Sequence, residues 1–475
     1  MAFDGLRVVD LSATLGGAYA ARLLGDFGAD VLLVEPSGGH ELRKEPPFVG
    51  DEAGPERSLI HGMANWNKRS VVETDAGAIA MLVSDADVLV TTAAKPWPAA
   101  VAAAVAALPP SGIHLSITPH GLEGPLAQTP GCSLTACARN GWAVINGVAD
   151  QPPLQLPVRQ VSYIAGIAGY LAAAAAIYRG TGETIDVSEL EATAMTNAPW
   201  AFSNGIFPVI SHETGEDVTG GKATARWEGN CQGGGYRTLT NGGPDGTPGP
   251  MLWPCADGQI NFGMGDWVLW DEAMSFLGCD EMVDSEYTPT WGRYNLDLRP
   301  VVKALGEASI KKEKWKIFHA LAEHRCITGV VQNAKELLEF PQLEAREFYV
   351  ESTVGGAADG ASFLAPGPIT AMSDSPWQLR TPAPTLGQHQ GEGWRAASVP
   401  REPTAEGATG GYPLAGVRVL TFTQAWAGPF ATTMMALLGA DVVQIESRNR
   451  PDVRKPMLFP QFLVKRLSSV KTRSG

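Results

Sequence analysis

A chain of 475 residues has room for about three domains of ordinary size, and 44% hydrophobic residues can fill real cores, which excludes a disordered tail or a disulfide-stapled peptide. Its 36 basic and 50 acidic residues leave a net charge of −14 with no long acidic run. Such a surface repels nucleic acid and anionic membranes, so an anionic ligand needs a local basic pocket.

The run Leu6 to Leu11 is β-rich and leads into Gly16-Gly17; Ala20, Leu23, Leu24 and Phe27 then recur at helical spacing. Gly28 suits a left-handed helix end, and Val31 to Val34 reads as the next buried strand, completing a βαβ unit. Continuous apolar runs fit strands covered on both faces, as in a parallel sheet between helices. The same grammar returns as a helix over Ala76 to Ser84, a strand over Asp87 to Val90 and a strand over Ile113 to Ile117. The Ala- and Gly-rich stretch Ile164 to Tyr178 falls short of the ~20 residues that span a bilayer and reads as a tightly packed helix. The fold class expected is α/β, an open Rossmann-like parallel sheet domain (1–200) with a smaller second domain.

Texture changes to loops and glycines from Ala201 to Pro250, and regular elements return with a strand over Gly258 to Phe262 and helices around Glu313 to Glu323 and Ala334 to Phe340. The smaller, loop-rich domain is placed at 201–330, a return segment to the large domain at 331–381, and a Pro- and Gly-rich linker at 382–413. Beyond the linker the chain repeats its own beginning at a constant offset of 411: Gly5/Gly416, Arg7/Arg418, Gly17/Gly428, Gly28/Gly439, Asp30/Asp441, Glu35/Glu446 and Arg43/Arg454. Residues 414–457 are thus expected to start a second copy, truncated early, with an unmatched basic tail at 458–475. A lone βαβ fragment cannot cover both faces of its strands unless it docks elsewhere.

The six cysteines (Cys132, Cys137, Cys231, Cys255, Cys279, Cys326) form no Cys-x-x-Cys pair, and no signal-peptide pattern opens the sequence. Reduced thiols in the cytoplasm are expected. The eight histidines show no metal spacing, so no metal is expected, and Walker, HExxH, G-x-S-x-G and G-x-G-x-x-G motifs are absent. The glycine turn alone could still seat a phosphate at a helix N-terminus, with Glu35 on a ribose hydroxyl, or simply make a tight turn.

The order of a glycine turn after a strand, Gly28-Ala29-Asp30-Val31 ending in Glu35, Asn65-Trp66-Asn67-Lys68-Arg69-Ser70, and Asp85-Ala86-Asp87-Val88 resembles the family III coenzyme A transferases. Gly121-x-x-Gly124-Pro125, Ile185-Asp186-Val187-Ser188 and Pro341-Gln342-Leu343 before Arg346 agree, and the likeness runs from about Phe3 to Gln388. The resemblance implies transfer of CoA between an acyl-CoA and a carboxylic acid, without a metal, in an interlocked homodimer or in a pseudo-dimer with a second transferase copy. It places CoA on Thr14, Leu15, Gly16 and Gly17, with Arg43, Asn67, Lys68 and Arg69 around the phosphates. Lys95 would replace the arginine of the family's adenine loop as a point charge, with the aromatic stacker missing from Thr91 to Pro96. Gly233, Gly234 and Gly235 resemble the glycine lid over the active site, or are a plain flexible loop.

In this family an aspartate attacks the thioester and passes through activated acyl intermediates. The matching stretch is Ser162-Tyr163-Ile164-Ala165-Gly166, so serine stands where the nucleophile is expected. A seryl ester is less activated than a thioester, and this copy is therefore expected to be impaired. Alternatives are a non-catalytic CoA-binding half of a tandem transferase, or of a DMSP-cleaving CoA-transferase-like lyase, and more weakly a nicotinamide-binding enzyme or an acyl-CoA racemase. The last is disfavoured because Cys132-Ser133 stands where the racemase branch has His-Asp.

Overall fold

The computed structural model describes residues 1–145, 152–196, 252–263, 269–285, 299–354, 361–396, 411–424 and 427–446. They divide into two compact units: residues 1–136, 157–196 and 341–475 form the first, and residues 137–156 and 197–340 the second. The return segment therefore begins at Pro341, with 331–340 belonging to the second unit.

In chain order the first half runs β1 (Arg7–Leu11), α1 (Leu15–Asp26), β2 (Asp30–Glu35), α2 (Leu59–Ala64), β3 (Lys68–Val72), α3 (Ala76–Val83), β4 (Val88–Thr91), α4 (Ala99–Ala107), β5 (Ile113–Thr118), α5 (Ser133–Arg139), α6 (Trp142–Ile145), α7 (Gln160–Arg179) and β6 (Glu183–Ser188). The strands form one sheet in the order β3-β2-β1-β4-β5-β6, parallel at every pairing. Alternate residues serve opposite faces. Val8, Val31, Val88 and Leu115 join Ala20, Leu24, Ala165 and Ala176 in one core, while Val9, Leu32 and Leu89 pack with Ile79, Val83 and Ala104 in another. Cover on both faces is why β1, β2 and β4 are centred on the apolar runs Val8-Val9, Val31 to Val34 and Val88 to Val90. The order turns back between β1 and β4, and in open parallel sheets the crevice at the carboxyl ends of such strands is where ligands settle.

Helix α7 is the one described helix long and apolar enough, by length and composition, to cross a membrane. Its small residues are used for packing here: a Cβ on Gly166 would stand 2.8 Å from the carbonyl oxygen of Gly16, and one on Gly169 2.8 Å from Cδ1 of Ile117. α7 therefore lies directly on α1 and β5.

Part of the expected linker is ordered against the sheet. His389 N–H donates to the Ser70 carbonyl (2.9 Å) and its Nδ1 accepts from Ser70 N–H (3.1 Å). Gln390 accepts from Val72 N–H, and Trp394 packs on the second core. Residues 382–396 are thus a strap that covers β3, the edge strand, whose open hydrogen-bonding groups would otherwise invite pairing.

The second unit contains an antiparallel sheet β7 (Leu252–Cys255), β8 (Gly258–Gly263) and β9 (Ile327–Val330). Helices Trp270–Leu277 and Lys314–Glu323 add Met274, Ile317 and Leu321 to a core with Trp253 and Ile260. In the first unit an antiparallel pair, β10 (Tyr349–Thr353) and β11 (Ser362–Pro366), follows Pro341. Near the C-terminus β12 (Arg418–Thr421), helix Ala427–Leu437 and β13 (Asp441–Gln444) make a second βαβ unit with parallel strands.

Candidate active site

The turn from β1 into α1 is held from beneath. Ser12 N–H donates to Asp10 Oδ1 at 2.9 Å, Asp10 Oδ2 accepts from Lys68 Nζ at 2.7 Å, and Ala13 N–H donates to Thr92 Oγ1 at 2.8 Å. The last bond ties the loops beyond β1 and β4 across the crevice. Gly17 has no alternative there, because a Cβ would lie 2.5 Å from both Ser12 Cβ and Thr92 Cγ2. Thr14, at the N-cap, makes no side-chain cap, and the first N–H groups of α1 carry the positive end of the helix dipole.

Three further elements converge on Gly16. Ser162, near the start of α7, is 7% exposed and donates from Oγ to Glu189 Oε1 at 2.9 Å. Its Oγ also lies 3.3 Å from Ser133 Oγ at the start of α5. Glu189 directly follows β6 as the first residue of a helical stretch, 189–196, and is 6% exposed. A Cβ on Gly16 would stand 3.2 Å from the Ser162 carbonyl oxygen and 3.5 Å from Glu189 Oε1. Burial pushes the Glu189 carboxyl up from its ordinary value, and the Ser162 hydroxyl offsets only part of that rise. Glu189 escapes a motif reading that ends at Ser188; the available signal is an acid at the carboxyl end of a parallel strand.

The basic residues expected around the phosphates are placed otherwise. Lys68 is fully buried, with its three donors on Asp10, the Ala18 carbonyl and Asn65 Oδ1, each at 2.7 Å. Arg43 directs all its donors inward, to Glu35 (2.7 and 2.8 Å), Glu56, and the Pro55 and Pro384 carbonyls. Arg69 grips Asp30 with two bonds, at 2.9 and 2.7 Å. Asn67 binds Asp26, the Gln378 carbonyl and the Arg380 and Thr381 N–H groups. Side chains so buried and so bonded present no donor to a cofactor; they lock β1, β2 and β3 and shape the glycine turn from below. Glu35 is likewise unavailable to a ribose. Burial would raise its carboxyl, but Arg43, Ser70 and the His40 N–H outweigh burial and hold it below the usual range.

Lys95 is different. It is exposed in the loop after β4, with Nζ 5.3 Å from the ring centre of Trp97, so an aromatic does stand beside this cation, two residues on. Trp97 meets the His114 ring edge-on at 5.5 Å, and its Nε1 is buried without a hydrogen-bond partner. His114 shares a 2.9 Å hydrogen bond with Thr91 and is pushed down to about 4, first by burial and then by Lys95. Gly233, Gly234 and Gly235 lie outside the described residues, and among the described residues no three His, Cys, Asp or Glu side chains cluster as metal ligands.

The profile of CoA-transferase family III matches residues 3–390 and again 414–464. The chain belongs to CoA-transferase family III. Among similar proteins is the succinyl-CoA:(R)-benzylsuccinate CoA-transferase subunit BbsE of Thauera aromatica, 28% identical over 427 residues, covering 82% of this chain and 93% of that protein. A Mycobacterium tuberculosis protein named "Probable CoA-transferase Rv1866" is 29% identical over 468 residues; the match covers 94% of this chain and 54% of that protein, so this chain spans about half its length. A crystal structure of a CAIB/BAIF family protein from Brucella suis shares the fold, with a TM-score of 0.62 at 21% identity, covering 82% of this chain and 97% of that one. The family III fold read from the sequence is thereby established, with its parallel six-stranded sheet.

Proposed function

We propose that this chain transfers coenzyme A between an acyl-CoA thioester and a free carboxylic acid, at the crevice beyond β1 and β4. The observation that carries the reading is the meeting of the α1 N-terminus at Gly16 with Ser162 and Glu189, because acyl exchange needs a carboxyl group beside donors that can hold a developing oxyanion. The backbone of Thr14 to Gly17 takes the reacting end of the thioester, and Lys95 with Trp97 takes the nucleotide end, where an exposed cation and an aromatic face suit phosphate and adenine. Residues 414–464 start a second transferase copy, and this half pairs with that copy or with another chain as a pseudo-dimer or dimer. The five cysteines among the described residues are free, which suits a reducing cytoplasm.

A second reading is favoured by Ser162. With serine at the family's attacking position, a chain that depended on residue 162 alone would be an impaired copy, a CoA-binding half that scaffolds an active one. Acyl exchange between CoA thioesters and free carboxylates, followed by chromatography, separates the two. Turnover by the full wild-type chain is expected. CoA binding without turnover, in both the wild type and Ser162→Asp, would instead support the scaffold, and failure to bind CoA would contradict both readings.

A further inference from the structure

We propose that Glu189 supplies the attacking carboxylate of this chain and that Ser162 positions it. The inference deepens the transferase reading and rests on it.

The other buried carboxylates of this domain are structural, and each has a cation: Asp26 holds Arg22, Glu35 holds Arg43, Asp10 holds Lys68 and Asp30 holds Arg69. Among the described residues Glu189 has none, and its side-chain hydrogen bond comes from the neutral Ser162 hydroxyl. Keeping a carboxyl group in the interior without a cation costs stability, and groups kept at such a cost concentrate where chemistry occurs. Its position strengthens the argument. The Glu189 oxygen lies within hydrogen-bonding distance of the Ser162 hydroxyl, just beyond the tip of the short side chain that stands at the family's attacking position. A longer residue on the neighbouring element thus fills the place that a carboxylate at 162 would occupy. The serine itself is a poor substitute: among the described residues its Oγ faces Glu189 and Ser133 and no histidine, and an oxygen ester is less activated than a thioester, so returning its acyl group to a thiol runs uphill.

The exchange balances without an outside reactant. A Glu189 oxygen attacks the thioester carbonyl and the C–S bond breaks, giving an acyl-glutamyl anhydride and CoA thiolate. The thiolate attacks the Glu189 carbonyl carbon and releases the donor as a carboxylate, leaving a glutamyl-CoA thioester. The acceptor carboxylate attacks that thioester and expels the thiolate, which then attacks the acceptor carbonyl of the new anhydride; the new acyl-CoA departs and Glu189 regains its charge. The Ser162 hydroxyl holds the carboxylate toward the glycine turn throughout.

The test is borohydride trapping. The full chain is incubated with succinyl-CoA, reduced so that an enzyme-bound thioester becomes an alcohol, digested and mapped by mass spectrometry, with CoA binding measured on every variant as the control for folding. The reduced residue is expected at Glu189 in the wild type and in Ser162→Ala, and absent in Glu189→Gln, which loses exchange. Ser162→Ala is expected to lower kcat more than it alters KM and to move the acid limb of the rate profile upward, because the lost hydrogen bond favoured the ionised carboxyl. The double variant Ser162→Asp with Glu189→Leu is expected to carry the reduced residue at position 162. A product on Ser162, or undiminished exchange by Glu189→Gln, would overturn the inference. A wild type that neither labels nor exchanges beside a double variant that does both would overturn it while sparing the transferase reading; absence of exchange in both would sink that reading as well.

Discussion

The two βαβ units are built from one local grammar and live in different surroundings. Phe3 N–H donates to Phe27 and Leu414 N–H to Leu438; Asp30 N–H donates to Leu6 and Asp441 N–H to Val417; Ala29 N–H donates to Leu24 and Ala440 N–H to Met435. The strand registers Arg7↔Asp30 and Arg418↔Asp441 correspond in the same way. Gly28 and Gly439 both take positive φ, 116° and 101°, and a Cβ on either would strike the residue at the equivalent place, Met1 or Tyr412. Burial does not repeat. β1 sits between β2 and β4 in a six-stranded sheet, whereas β12 pairs with β13 in a sheet of two. Leu420 is 60% exposed, whereas Val9, at the equivalent place in the first unit, is fully buried. Turns and helix ends are encoded locally and travel with the sequence. Cores need partners from elsewhere in the chain.

Equivalent substitutions in the two βαβ units should therefore diverge. The largest gap is expected at Asp10 and its counterpart Thr421. Asp10→Ala strands the buried Lys68 ammonium and should cost about 3–5 kcal/mol, while Thr421, hydrogen-bonded to Thr423 at 2.8 Å, should lose about 1 kcal/mol on replacement by Ala; urea unfolding of the full chain measures both. Leu24→Ala, at a position wholly buried, should cost about 2–5 kcal/mol, against about 1 kcal/mol for Met435→Ala at a half-buried site. Equal costs would break the comparison.

Acid should act on the domain of the six-stranded sheet. Burial pushes His40 and His114 down to about 4 from 6.5. The unfolded chain then binds more protons than the folded one between those values. Stability is expected to be full above pH 6.5 and to fall as the pH drops toward 4, by up to about 3 kcal/mol per histidine. His114→Gln should shrink that loss in pH-dependent melting, whereas a pH-independent melting point across the window would contradict the burial assigned to both rings.

The same division between local and distant information sets what the sequence makes legible. β1, α1, β2, α3, β4, β5 and α7 follow from apolar runs, helical spacing and glycine stops, all contained within a few residues. The strap at 382–396 does not, because its order comes from bonds to Ser70 and Val72 more than 300 residues away, and its composition is that of a linker. Lys68, Arg69 and Arg43 are visible as charges, but their carboxylates lie 58, 39 and 8 residues off, and an unpaired reading assigns them to a cofactor. Ser162 is legible as a departure from a family pattern. Glu189 is 27 residues from it, and only folding α7 against the end of β6 brings the two together.

The most direct test of the account compares initial rates of acyl exchange for Glu189→Gln and Ser162→Ala in the full chain, at a pH where the wild-type carboxyl is ionised. The account predicts that Glu189→Gln abolishes exchange while Ser162→Ala retains a measurable fraction of it. Exchange abolished by Ser162→Ala and retained by Glu189→Gln would contradict it.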